Sequence, residues 1–185
     1  MVKGRRERRA VDVEESMLDI MERMETLVPE YSYSSIASVV KTDKKVRRFL
    51  LAELKAIKDY MFHVVQVSYE LQRDKLSRSV EGSWDDLDSL VDRVENSKTS
   101  KMKGNRKYCE DCKKRIDENI HDLVRRDREL VIEVRDMKRT AHMLYKALFD
   151  KGNEARFIKN LDRIKKYVDQ VSSLLDERER IITGE

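Results

Sequence analysis

The most regular stretch of the chain lies in residues 106–149. Ile116, Ile120, Leu123, Leu130, Val134, Met137, Leu144 and Leu148 recur there in alternating steps of four and three, with Asp127 and Ala141 in the two remaining places. This is the a/d rhythm of heptads on one long helix. Val124, Val131 and Tyr145 add apolar groups beside the seam, which makes the stripe wider than a two-stranded coiled coil needs and points to a bundle with several neighbours. The same rhythm returns twice. Leu50, Leu54, Ile57, Met61, Val64, Ser68 and Leu71 carry it through a helix expected at 43–79, uninterrupted by Gly or Pro. Phe157, Leu161, Ile164, Val168, Val171, Leu175 and Ile182 carry it through a helix expected at 154–182, where only Arg178 breaks the series.

Shorter elements occupy the gaps. Val13, Met17, Leu18, Ile20, Met21, Met24 and Leu27 predict an amphipathic helix over 11–28, closed by Pro29, because the residue before a proline disfavours helical backbone. Its methionines at helical spacing read as core. A short helix is expected at 33–41, capped by a serine of the 32–35 cluster. Gly82 predicts a break, and Ser83 followed by Asp86 gives an N-cap signature for a helix over 84–96 carrying Trp84, Leu87, Leu90, Val91 and Val94. Residues 97–105 lack apolar periodicity and read as a loop. Residues 1–10 read as a basic flexible arm.

The fold class that follows is all-α: an elongated antiparallel helical bundle with coiled-coil-like long helices, formed by residues 11–185 as one domain. The short connection Asp150-Lys151-Gly152-Asn153 folds the last two helices into an antiparallel hairpin. The 106–149 helix is longer than its neighbours, so a homo-oligomer or a helical protein partner is expected to cover the excess stripe. Asp127 stands at an a position in the middle of the best seam, where an unpaired carboxylate costs several kcal/mol. A cross-helix Lys or Arg, or a wet gap, has to answer it, and such polar residues often select register or partner.

Composition narrows the class further. One Pro, five Gly and 6% aromatic residues in 185 leave little material for turns or for a sandwich or barrel. Charged residues make up 41%, yet the net charge is only +4, so most charge is solvated helix surface. No run of 18 apolar residues exists and no apolar segment follows the basic N-terminus, which predicts neither membrane span nor secretory signal and a cytoplasmic location.

Candidate chemistry is sparse. Cys109 and Cys112 form a lone C-x-x-C; two thiolates are half of a tetrahedral zinc site, so zinc requires pairing of two chains, and the alternative is a redox pair at a helix start. Glu118 and His121 spell E-x-x-H, but the heptad frame turns both away from the seam and no second copy exists, which excludes a di-iron bundle. Nucleophile-elbow, metalloprotease, P-loop and dinucleotide motifs are absent, so a non-enzyme is expected. The leading expectation is a non-catalytic interaction or scaffold protein. The alternative is nucleic-acid binding through Arg5, Arg6, Arg8 and Arg9 of the arm, Lys44, Lys45, Arg47 and Arg48 in the basic stretch 41–58, and Lys98, Lys101, Lys103, Arg106 and Lys107 in the stretch 98–107. Residues 36–50 partly resemble a helix-turn-helix, without its usual turn glycine.

Overall fold

The computed structural model describes residues 17–33, 36–97, 106–149 and 154–183. Among them every regular element is a helix: α1 (Met17–Leu27), α2 (Ile36–Glu70), α3 (Asp74–Glu95), α4 (Arg106–Ala147) and α5 (Glu154–Thr183). The expected arm 1–10, the start of the 11–28 helix and nearly all of the 97–105 loop lie outside the described residues.

Two antiparallel hairpins, α2–α3 and α4–α5, lie side by side, with α2 against α4 and α3 against α5. Side-chain pairs fix the directions. Lys55–Glu95 and Lys58–Asp88 run α3 against α2, Arg126–Glu177 runs α5 against α4, and Lys138–Glu53 aligns α4 parallel to α2. The seam residues predicted for the long helices fill one core: Leu50, Leu54, Ile57, Met61 and Val64 of α2 meet Leu123, Leu130, Val134, Met137 and Leu144 of α4 and Phe157, Ile164 and Val171 of α5. Each such burial contributes about 1.5–3 kcal/mol. Helix α1 packs on α4 through Met24, which is fully buried. From Leu123 to Leu148 the α4 seam is thus covered within one chain by α2, α5 and α1. Its N-terminal stretch has a discontinuity, since Asn119 has non-helical backbone (φ −122°, ψ 21°).

Three element boundaries differ from those expected. The helices placed at 33–41 and 43–79 are joined, because α2 continues through Thr42 and Asp43. Their cap-type side chains serve other partners: Thr42 Oγ1 bonds the Ser32 backbone, and Asp43 bonds arginines. This continuity also removes the turn that a helix-turn-helix requires. The second difference is the end of α2 at Glu70 instead of 79. Gln72 takes a left-handed backbone (φ 57°), its N–H bonds Tyr69 O at 2.9 Å, and Arg73 N–H bonds Ser68 O at 2.8 Å, the paired bonds of a Schellman stop. Arg73 then donates to Leu148 O at 2.9 Å, capping the end of α4.

The third difference is α3, which starts at Asp74 and passes straight through Gly82. Leu76, Val80, Ser83, Leu87, Leu90 and Val94 face the core and step by four and three, so Ser83 is a seam residue with no cap role. Its buried hydroxyl has no partner.

A β-carbon added at Gly82 meets nothing within 4 Å. Gly82→Ala is therefore expected to raise stability by about 0.5–1 kcal/mol through a less flexible unfolded chain and better helix propensity, read as an increased urea midpoint at unchanged slope.

Candidate functional site

The ionisable groups that the fold gathers most tightly lie at the end of the bundle where α2 begins. Arg178 of α5, only 2% exposed, sends Nε to Asp127 Oδ1 and Nη1 to Asp43 Oδ1 at 2.7 Å. Asp43 Oδ2 accepts Arg47 Nε at 2.9 Å. Asp127 Oδ2 accepts the hydroxyls of Tyr31 at 2.9 Å and Tyr33 at 2.5 Å, from the segment joining α1 to α2. The two tyrosine rings meet edge to face at 5.4 Å. All four carboxylate oxygens are occupied, and the two arginines balance the two aspartates. The cation that Asp127 demands is thus Arg178 on α5 of the same chain, a cross-helix arginine of the kind its seam position called for.

Burial pulls the Asp43 carboxyl upward, but the guanidiniums of Arg178 and Arg47 outweigh it and hold the pKa below the usual carboxylate value. Burial, reinforced by the Asp127 charge, pushes the Tyr31 and Tyr33 hydroxyls far up, so both remain donors. Burial opposes the charge of Arg178, but Asp127, Tyr33 and Asp43 overcome it. The cluster is sealed, and none of its members lines the surface grooves described next, so it is built as a structural ionic lock.

Three surface grooves stand out among the described residues. One, about 330 Å³, opens between α2 and α3 and is lined by Phe62, Val65, Glu81, Trp84 and Asp85. Phe62 is 50% exposed and nearby Tyr69 is 51% exposed, its hydroxyl donating to Glu81 at 2.7 Å. The Lys58 ammonium sits 4.5 Å from the Trp84 ring centre, a cation–π contact. The Trp84 indole N–H is buried without an acceptor. A second groove, about 270 Å³, lies between α2 and α4 and is lined by Glu53, Tyr60, Arg135, Lys138, Arg139 and His142. Its cations are largely answered, since Lys138 pairs with Glu53 and Arg139 with Asp136. The third, about 420 Å³, lies beside Pro29 and Phe49.

Of the basic residues proposed for nucleic acid, Lys44, Lys45, Arg47 and Arg48 are the ones whose side chains are described. In the 41–58 stretch Lys45 pairs with Glu30, Arg47 with Asp43, Lys55 with Glu95 and Lys58 with Asp88, while Lys44 and Arg48 are exposed on α2. Arg5, Arg6, Arg8, Arg9, Lys98, Lys101 and Lys103 lie outside the described residues. Arg106, Lys107, Cys109 and Cys112 lie on α4, where their side chains fall outside the described set; the zinc and redox readings rest on those side chains. Among the described residues no group of three or more His, Cys, Asp or Glu is arranged to hold a metal ion, and no helix is long and apolar enough to cross a membrane. The aromatic groove was not foreseen. Its signal in the sequence was Phe62 and Tyr69, which stand off the α2 seam.

Arg178→Met leaves Asp127 and Asp43 buried without their shared cation, and the fold is expected to lose about 3–5 kcal/mol, measured by urea unfolding at neutral pH. The acid limb follows from Asp43. Its folded pKa lies below the unfolded value of about 4, so its contribution is fully present above that value and is lost as pH falls through the folded pKa. Between neutrality and strongly acidic pH the wild type is expected to lose more unfolding free energy than Asp43→Asn, which cannot titrate; parallel pH profiles would exclude this role.

No protein-family model matches the chain, no curated protein matches it, and no solved structure matches it.

Proposed function

We propose that the protein is a non-catalytic interaction module that receives a helical protein partner on its α2–α3 face. The observation that carries this reading is the exposure of Phe62 and Tyr69 beside a groove walled by Val65 and Trp84. Clustered exposed aromatic groups are a feature of binding surfaces, where few rotatable bonds make them effective anchors. Two further observations weigh against the other readings. The densest set of ionisable groups is sealed and internally satisfied, which leaves it no reacting partner. Four of the basic residues in the 41–58 stretch are engaged by carboxylates of the same chain, which weakens a phosphate-tracking surface. Self-association is compatible with this face as well, although the α4 seam that first suggested it is covered within the chain from Leu123 to Leu148.

The test is site-specific photo-crosslinking in the native host. A benzophenone amino acid at Phe62 is expected to yield one discrete adduct with a second polypeptide. The same group at Lys166, exposed on α5, should not. Mass analysis of the adduct distinguishes another protein from a second copy. Equal labelling at both positions, or none at Phe62, would overturn the reading.

A further inference from the structure

The walls of the aromatic groove are distinguished from the rest of this chain by charge. Lys and Arg number 40 in 185 residues, yet neither occurs in residues 59–72 on the α2 wall or in residues 79–92 on the α3 wall. The α2 wall instead carries Asp59 and Glu70. The α3 wall carries Glu81, Asp85, Asp86, Asp88 and Asp92. Lys58, a cation at the edge, is occupied by Asp88 and the Trp84 ring. Glu81 and Asp85, which line the groove itself, have no ion-pair partner among the described residues. The basic residues of α2 thus stop at Lys58, and α3 carries Arg78 and Arg93 only at the two ends of its acidic stretch. The net charge of the chain is +4, so these acids run against the overall balance, and Glu81 and Asp85 are the two that line the groove.

We infer that the occupant of the groove is a basic amphipathic segment of a partner protein: an apolar or aromatic anchor that enters between Phe62 and Trp84, flanked by Lys or Arg that meet Glu81 and Asp85. This rests on the reading of the α2–α3 face as a docking surface and adds the chemistry of what docks. A helix suits the cleft because its side chains three and four residues apart lie on one face, so a single stripe supplies both anchor and flanking charge. Unpaired carboxylates at the rim discriminate among partners through attraction and long-range steering more than through raw affinity. An acidic amphipathic helix with the same anchor meets like charge at the same positions and is rejected.

Trp84 is the single tryptophan of the chain, so its fluorescence reports the groove directly. The full-length protein is titrated with a helix-forming peptide of about 18 residues built from Ala, Leu and Lys, free of tryptophan, with Leu along one stripe and Lys on its flanks. A matched peptide has Glu at every Lys position. The expected result is a saturable change in Trp84 emission with the Lys peptide and at least about tenfold weaker binding of the Glu peptide. Raising salt from roughly 50 to 500 mM, or the double substitution Glu81→Lys with Asp85→Lys, weakens the Lys peptide by about tenfold. The paired reversal Asp162→Lys and Asp169→Lys on exposed positions of α5 leaves it unchanged. Equal binding of the two peptides overturns the charge inference while leaving docking itself intact. Unaltered binding to the Glu81/Asp85 variant overturns it as well, since the peptide then sits elsewhere. If neither peptide perturbs Trp84, the inference falls, and crosslinking at Phe62 decides the docking reading separately. A concentration-dependent dimer in sedimentation, dissolved by Phe62→Ser, identifies the occupant as a second copy and also overturns it.

Discussion

A guanidinium removed from water needs carboxylates at defined positions, and in this bundle Arg178 imposes that demand on several segments at once. Nε and Nη1 diverge from one planar fork, so Asp127 and Asp43 have to stand on different helices at one level. That level sets the slide of α5 along α4 and the height of α2 beside them. Asp127 then recruits Tyr31 and Tyr33, which draws the segment after α1 across the end of the bundle, and Thr42 ties Ser32 of the same segment to α2. A hydrophobic replacement of equal volume would hold such helices together at least as strongly, because desolvating ions offsets much of their attraction. What an apolar seam lacks is a unique register: a heptad repeat shifted by seven residues still buries its stripe. Ion pairs and phenol hydrogen bonds at one level remove that degeneracy.

This explains which parts of the fold the sequence makes legible. The helices that form the core were readable because their apolar side chains repeat with the geometry of the helix itself, and α4 and α5 follow that repeat almost without interruption. The lock was half readable. Asp127 in a seam demands a cation, Arg178 in a seam demands an anion, and the two lie almost equally far on either side of residues 150–153, so folding the hairpin brings them level. Tyr31 and Tyr33 carried no such signal, because aromatic groups in a connecting segment are as readily packed for their bulk as for their hydroxyls.

The misplaced boundaries have a common cause. Gln72 ends α2 in a left-handed conformation that glycine adopts at lower cost, and Gly82 sits inside α3 where propensity alone would stop a helix. In both places tertiary packing overrules the local preference. Ser68 and Ser83 are buried at seam positions, and Ser68 returns its hydroxyl to Val64 O at 2.7 Å. Ser68 keeps its place in the α2 rhythm along the sequence, whereas reading Ser83 as a cap divides α3 in two.

Charge is legible along the sequence only as a sum, whereas binding depends on what remains after the chain has answered itself. The stretch 41–58 reads as strongly basic, yet Glu95 and Asp88 of α3 come onto Lys55 and Lys58, Glu30 comes onto Lys45, and Asp43 of the stretch itself holds Arg47. The opposite holds at the aromatic groove, where Glu81 and Asp85 of α3 line the cleft without an ion-pair partner among the described residues. The lock and the groove are also mechanically related. Phe62 lies 19 residues beyond Asp43 on α2, about 28 Å along an uninterrupted helix. Fixing α2 at the lock, and again at Lys58–Asp88 beside the groove, holds the α2 wall steady against α3. An anchor entering there meets walls already in place, so little ordering cost is left to set against the contact it makes.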